Sequence, residues 1–600
     1  MIRKELKNYF DQLENTITAI DEITIQENIS NILNSRNVKL SEKQELAELI
    51  AFSFVPNYPN KGHCWGTYYG PIFVMPNKDG HVSEFPSIQQ VDEEVLAYWR
   101  ERASFSKHPL LSYRYLDLVI DFEPVITKNK LDYKLIQNII DHTIQICNGK
   151  LNDGVGCKTK LKRSFLLAIK INDASRLEIL KKTIIATEKS FAVDDKPGLW
   201  GYSFEWLLIN YADKISLTDE EKNNLVSDAE KRLERLISTV DPDPWLVESV
   251  ASSLAEYYFI IKNELSLKTA LEKIEKAFRL NKYANSDGLL ITNYLQKISE
   301  IYSKYSQFQF AKQALDRITS EIGNLGERGK FAIKNISVEI PITNDEKNEF
   351  IKSLFGDNGI NPPETIINKF VVYFIPKKDV IENQLNDFSK KHPLMYLVEK
   401  VITSDEGYPI AKVGSITENY NQHLLLQFSE NLHFQSIFLR MAFEELRKRY
   451  TSEALCETIM LSPVFRNEDK NYIFRILNSF WNKDYIVSCC LIIPLIEDAI
   501  RNLYKMNGLS YIKKCEDSGG YDVLSLHKLL DQGLVKTIYG KYGENVEYYF
   551  KVLLTVKIGW NLRNNFAHGI NKAAFSHEDV SNRLLHILFC LSLIRKNDKP

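Results

Sequence analysis

Apolar residues recur every three or four positions through most of the chain, the spacing that lays one greasy stripe along an α-helix. Ser41-Glu42-Lys43-Gln44 opens such a run through Leu46, Leu49, Ile50 and Phe52. A Ser hydroxyl and a Gln amide at that spacing satisfy the orphan N–H groups of a helix start. Thr218-Asp219-Glu220-Glu221 repeats the signature before Leu225, Ala229, Leu233 and Leu236. Thr343-Asn344-Asp345-Glu346 does so before Phe350, Leu354 and Phe355. Two kinds of region break the rhythm. Trp65 to Met75 is aromatic, β-branched and punctuated by Gly and Pro, which predicts a short strand or ordered loop. Ile333 to Ile342 and Phe370 to Ile375 also have strand-like composition.

The stretch from about 160 to 318 reads as antiparallel helix pairs. Ala270 to Phe278 places small residues where helices approach closely, and Ala311-Lys312-Gln313-Ala314-Leu315 follows 41 residues later. The pattern resembles a tetratricopeptide-type repeat with a longer period, and an irregular helical bundle accounts for it equally. The expected fold is therefore mainly α and multidomain, with a helical-repeat-like middle and small mixed elements near 65–75 and 333–375. Loop-rich composition at 147–159 and at 356–363, and a change near Trp481, mark expected boundaries. The resulting domains are 1–155, 156–330, 331–478 and 479–600. The middle region offers a surface for a protein partner or activator.

Composition narrows the classes. At 600 residues the chain exceeds one hydrophobic core. Its 44% hydrophobic content offsets the entropy of ordering, so disorder is excluded as the main state. With 76 basic and 78 acidic residues, no global field steers it to nucleic acid or acidic lipid. The start, Met1-Ile2-Arg3-Lys4, has no apolar signal segment. The most apolar window, Ile486 to Ile496, is too short to span a bilayer and predicts a buried helix. Eight irregularly spaced Cys give no disulfide framework, so a cytoplasmic location with reduced thiols is expected.

Several motifs fail on spacing. Gly149 to Thr159 looks like a phosphate-binding loop, but Cys157 separates Gly156 from Lys158, so a solvated loop is expected. No Gly-x-Gly-x-x-Gly follows a strand, and no Gly-x-Ser-x-Gly elbow is present. His586 and Cys590 share a helix face, yet their leucine-rich surroundings point to core packing. His63-Cys64 stands alone, and Cys489-Cys490 reads as buried thiol. No metal or cofactor is expected.

Asn561-Leu562-Arg563-Asn564-Asn565-Phe566-Ala567-His568-Gly569 gathers a cation, amides and an imidazole. Lys551 to Ile558 reads as a helix end stopped or kinked by Gly559, after which Asn561 caps a new turn. Five residues subtend roughly 140° on a regular helix, so Arg563 and His568 splay unless the helix is short or irregular. A cleft shared by two copies is one solution. The set suits RNA phosphodiester chemistry. A guanidinium grips phosphate, and a histidine moves the 2′-hydroxyl or leaving-group proton while Asn564 orients them. With the 2′-hydroxyl as nucleophile, no metal is required. The same residues also cap and pair at ordinary helix ends.

This stretch resembles the RNxxxHG signature of the DUF4209 family in the HEPN superfamily, with Arg563, Asn564, His568 and Gly569 in order. The segments 480–485 and 491–501 resemble that family's upstream helix, whose acid and arginine fall on Glu497 and Arg501, four apart on one face. These two either pair or orient Arg563 or His568. The resemblance covers about 480–595. A looser likeness joins Tyr98 to Ala103, His108 to Leu111, and Arg114 to Leu118 to an N-terminal region of such proteins, without a function.

The resemblance implies a C-terminal HEPN helical bundle that homodimerises, with arginines and histidines lining one cleft. It further implies metal-independent cleavage of an RNA substrate to 2′,3′-cyclic phosphate in bacterial anti-phage or abortive-infection defence. The alternative is a non-catalytic HEPN scaffold that dimerises, binds RNA or recruits a partner. From 481 to 600 there are 16 Lys and Arg against 12 Asp and Glu, the more basic end of the chain. Tyr539, Tyr542, Tyr548 and Tyr549, interleaved with Lys536, Lys541 and Lys551, stack bases or simply pack.

Overall fold

Short polar side chains at helix starts organise the computed structural model, which is mainly α-helical. It describes residues 2–34, 43–56, 65–76, 82–129, 132–281, 288–329, 341–356, 361–404, 408–515, 519–570 and 577–596. Among these, the only sheets are four two-stranded antiparallel ones. The expected capping boxes at Thr218–Glu221 and Thr343–Glu346 are both formed. The box at Ser41 lies outside the described residues, as do His63-Cys64 and most of the strand expected at 333–342. No helix among the described residues is long and apolar enough to cross a membrane.

The chain divides into two compact units, Met1–Ser286 with Asn293–Ile318, and Asp287–Thr292 with Thr319–Pro600. In the first, successive helices pack on one another. Ala270, Ala277, Ala311 and Ala314 are buried, as their close-packing positions predicted. The region expected at 65–75 forms two small ribbons, Val55–Pro56 with Tyr69–Gly70 and Phe73–Pro76 with Val82–Phe85. The loop expected at 149–159 is shorter than expected. Asp153 accepts from the Gly156 amide at 2.6 Å and starts the Gly154–Lys170 helix, so most of the glycine-rich stretch is helical. That helix packs on Tyr133–Asn148, and the boundary expected at 155 does not interrupt the packing.

In the first unit the expected stripe is only partly realised: Ile50 and Phe52 are buried as predicted, but carboxylates replace Leu46 and Leu49 in the core. On the Lys43–Ser53 helix, Glu45 and Glu48 are buried, while Leu46 and Leu49 are only half-buried. Glu48 accepts from the Tyr98 hydroxyl at 2.6 Å and the Tyr115 hydroxyl at 2.5 Å, and pairs with Arg102 at 2.6 Å. Asp117 gathers the Tyr69 and Tyr113 hydroxyls at 2.8 and 3.1 Å and Arg163 at 3.0 Å. Arg114 donates to the Ala51 and Phe54 carbonyls at 2.6 and 2.5 Å. The N-terminal residues singled out by resemblance thus build buried polar clusters that hold helices together.

In the second unit one hydrophobic cluster runs from Phe350 to Ile594. The boundary expected at 478/479 falls inside the Asp469–Trp481 helix and inside this cluster. Phe370 to Ile375, expected as strand-like, lies almost wholly in the Pro363–Phe374 helix. Pro363 starts that helix, and Ile366, Ile367, Phe370, Val371 and Phe374 bury one face at helical spacing. Among the described residues the strands of this unit are Lys400–Thr403 with Pro409–Val413 and Ile512–Lys514 with Tyr521–Val523.

The final helix, Glu578–Ser592, is the unit's axis and packs on Pro363–Phe374, Tyr420–Arg449 and Tyr485–Met506. Arg583 is fully buried and donates to the Leu432 carbonyl at 2.6 Å and the Phe374 carbonyl at 3.5 Å. Phe374 ends its helix, so the guanidinium meets the negative end of a helix dipole. His586 and Cys590 are core residues, as expected. The His586 Nδ1 accepts from the Tyr549 hydroxyl at 2.7 Å and its Nε2–H donates to the Phe370 carbonyl at 3.1 Å.

Candidate functional site

The motif segment is a helix of under two turns, Leu562–His568, held at both ends by left-handed residues. Asn561 has φ +51° and Gly569 φ +66°, conformations that Asn and Gly tolerate best. At the end, the Ile570 amide donates to the Asn565 carbonyl at 2.8 Å, the closing bond of a Schellman-type stop. The expected terminator at Gly569 is thus in place.

The approach differs from expectation. The preceding helix, Gly543–Leu554, ends five residues before Gly559. Gly559 serves a close crossing instead, because a Cβ there would lie 2.3 Å from the Val552 carbonyl oxygen. The chain folds back at this point, and the Trp560 amide donates to that same carbonyl at 2.9 Å.

Asn561 occupies the N-cap position, but its side chain makes no capping bond. Its Oδ1 accepts from Asn564 Nδ2 at 2.8 Å and its Nδ2 donates to Asn565 Oδ1 at 3.3 Å. Asn564 also reaches the Thr555 carbonyl at 3.4 Å, and Asn565 the Trp560 carbonyl at 3.3 Å. The amides therefore brace the turn against the helix before it.

Glu497, Arg501 and Arg563 come together as one cluster. Glu497 Oε2 accepts from Arg563 Nε at 2.9 Å, and Oε1 from Arg563 Nη2 at 3.4 Å and Arg501 Nη2 at 2.7 Å. Arg563 Nη1 donates to Asn564 Oδ1 at 3.3 Å. Burial by itself would raise the Glu497 carboxyl, yet the bonds from Arg563 and Arg501 outweigh it and hold the group below the usual range. Arg501 also faces Asp498 at 4.0 Å, so Glu497 and Asp498 together offset the two guanidiniums. Glu497→Gln is expected to lower stability by about 1–3 kcal/mol at pH 7. Because the folded carboxyl is depressed, the wild-type advantage is complete above the unfolded value of about 4.5 and disappears as pH falls through the folded one. Denaturant melts of both proteins between pH 3 and 7 check this, and parallel curves would refute it.

A cleft of about 850 Å³ lies beside the motif. Its walls are the Lys400–Val413 hairpin, His433 of the Tyr420–Arg449 helix, residues 557–570, and the start of the final helix at His577 to Val580. Asn561, Asn564 and His568 line it, and His568 is exposed there. Arg563, Glu497 and Arg501 do not line it. The splay expected from five-residue spacing is realised, with the guanidinium on Glu497 and the imidazole on the cleft.

His433, Lys557, Trp560, His577 and Asp579 were not singled out by sequence and also line the cleft. His433 sits in the middle of a 30-residue helix, far from the motif, with no local signature. Its ring stacks on Trp560 with centroids 4.6 Å apart and planes at 25°. Burial and the nearby Arg583 charge push its imidazole below the ordinary range, against Asp579. The tyrosines considered for base stacking are largely occupied. Tyr549 is buried on His586, Tyr539 donates to the Cys590 carbonyl at 2.7 Å, and Lys378 covers Tyr548. No group of three or more metal-ligating side chains is present among the described residues.

Comparisons of the chain with family models, with curated proteins and with solved structures give no match.

Proposed function

We propose that the second unit is a metal-independent endoribonuclease of the HEPN kind, the RNA-cleaving effector of a bacterial anti-phage or abortive-infection system. The observation that carries the reading is an exposed His568 on a large cleft that Asn561 and Asn564 also line, with Arg563 bonded to Asn564. In this reading the RNA 2′-hydroxyl attacks its own phosphate, His568 transfers a proton, and the arginine charge favours the phosphorane. Asn564, bonded to Arg563, lines the same cleft as His568. A homodimer through the second unit, and a partner or activator on the first, belong to the same proposal.

Incubation of the purified chain with total tRNA and a long RNA in EDTA tests it. Products with 2′,3′-cyclic phosphate ends are expected, and His568→Ala is expected to lower the rate by roughly 10²- to 10⁴-fold without unfolding the protein. Arg563→Ala is expected to lower it too. Unchanged cleavage by both variants would show that the site is wrong.

One observation favours a second reading, a non-catalytic module that dimerises or binds RNA. Arg563 is tied to Glu497 and does not reach the cleft. That reading predicts RNA retention or dimerisation without product.

A further inference from the structure

Cleavage by an internal 2′-hydroxyl needs two proton transfers. One group must take the 2′-hydroxyl proton, and another must protonate the departing 5′-oxygen. A single imidazole cannot do both in the same step, because it holds the proton or lacks it. The motif contributes one histidine, His568, and the resemblance would draw the second from another copy of the chain. The structure offers a different source. Three of the chain's eleven histidines, His433, His568 and His577, line the same cleft of one chain.

His433 has the features of a base. It projects from the long Tyr420–Arg449 helix, whose Leu432, Ser436 and Leu439 are buried on either side, so its backbone is fixed. Trp560, the residue just before the motif, holds its ring by stacking at 4.6 Å. Stacking leaves the ring edge, where the nitrogens are, free of the indole face. The charged groups around it are Arg583 and Asp579 from the final helix and Lys557 from the motif side of the cleft. Asp579 is itself held by Arg440 at 2.7 Å, one of the bonds of a two-point pair. Burial first, and then the charge of the buried Arg583, disfavour an imidazolium at His433 against the pull of Asp579, which favours the proton-accepting form. His577, in contrast, is the exposed N-cap residue of the final helix and makes no capping bond.

We infer that His433 is the general base and His568 the general acid of one catalytic pair contained within a single chain, acting on RNA. The inference rests on the ribonuclease reading above. In the step, neutral His433 takes the 2′-hydroxyl proton while the 2′-oxygen bonds to phosphorus. The bond from phosphorus to the 5′-oxygen breaks, and protonated His568 gives its proton to that oxygen. The products are a 2′,3′-cyclic phosphate and a 5′-hydroxyl. The two imidazoles end with their protonation exchanged, and solvent restores them. A strand lacking the 2′-hydroxyl at the scissile position cannot react.

The test uses the full-length protein and an RNA oligonucleotide in two forms, one ordinary and one with sulfur replacing the bridging 5′-oxygen at the scissile linkage. A thiolate leaves without an acid, so the second substrate removes the need for His568 alone. His433→Phe retains a ring on Trp560 and removes the proton acceptor. It is expected to lose roughly 100-fold or more on both substrates. His568→Ala is expected to lose as much on the ordinary substrate and to approach wild-type rate on the thio substrate. His433→Ala provides an independent arm, in which added imidazole restores cleavage at an emptied base site. If the thio substrate rescues the His433 variants and not His568→Ala, the roles are reversed and the assignment is wrong. If the wild-type chain cleaves and the His433 variants cleave equally fast, this pair does not exist although the nuclease does. If the wild-type chain cleaves neither substrate, the ribonuclease reading fails and this inference falls with it.

Discussion

Glu48→Gln is expected to destabilise the first unit by about 3–5 kcal/mol, a large part of the 5–15 kcal/mol that usually separates folded from unfolded states. Glu48 is fully buried and is the counter-charge of Arg102, whose side chain is 19% exposed. It also accepts from Tyr98 and Tyr115. A neutral amide leaves Arg102 without its partner in a site where water cannot fully replace it, and it turns an acceptor toward its neighbours into a donor. Amide exchange in the Lys43–Ser53 and Pro109–Ile126 helices, which Glu48 joins to one another, should speed together. The paired change Glu48→Met with Arg102→Met separates charge from packing. A buried ion pair replaced by apolar groups of similar volume is often neutral or better, so the double variant should recover most of the loss. A single variant with wild-type exchange rates would show that the cluster contributes little.

Acid should weaken the second unit well before its carboxylates protonate. His586 is fully buried and bonded at both nitrogens, and burial together with Arg583 pushes its imidazole down to about 3. The unfolded chain takes up that proton near pH 6.5. Between about 3 and 6.5 the unfolded state therefore binds more protons than the folded one, and stability rises with pH. Its contribution is complete above 6.5 and falls by about 1.4 kcal/mol for each unit below, or roughly 2.7 kcal/mol at pH 4.5. The cleft's His433 is shifted in the same direction. His586→Gln removes the titration, so its stability should vary less between pH 7 and 4.5 by about 2–3 kcal/mol. Equal pH slopes in denaturant melts would contradict this.

Part of the site was legible because its causes are local. Gly569 stops the motif helix since only a left-handed residue allows that closure. Glu497 and Arg501, four apart, had to share a helix face, and Arg501 and Arg563 share the Glu497 carboxylate. The splay of Arg563 from His568 followed from helical pitch. Other readings failed for equally physical reasons. Asn561 was expected to cap the motif helix, but its left-handed backbone turns the amide to Asn564 and Asn565 instead. Phe370 to Ile375 is aromatic and β-branched, yet the apolar spacing of its whole helix and the contacts of Phe370 with Phe443 and Phe589 override that composition.

The order of residues alone determined the helical class, the capped starts at Thr218 and Thr343, and the burial of His586 and Cys590, because periodicity and capping depend on neighbours a few positions apart. Tertiary structure alone decided that Glu48 sits in the core, that Arg583 meets the end of a distant helix, and that His433 and Trp560 join His568 on one cleft. A buried charge is tolerable only beside partners brought from elsewhere in the chain. In the same way, a cleft consists of side chains whose separation in sequence carries no signal of their meeting in space.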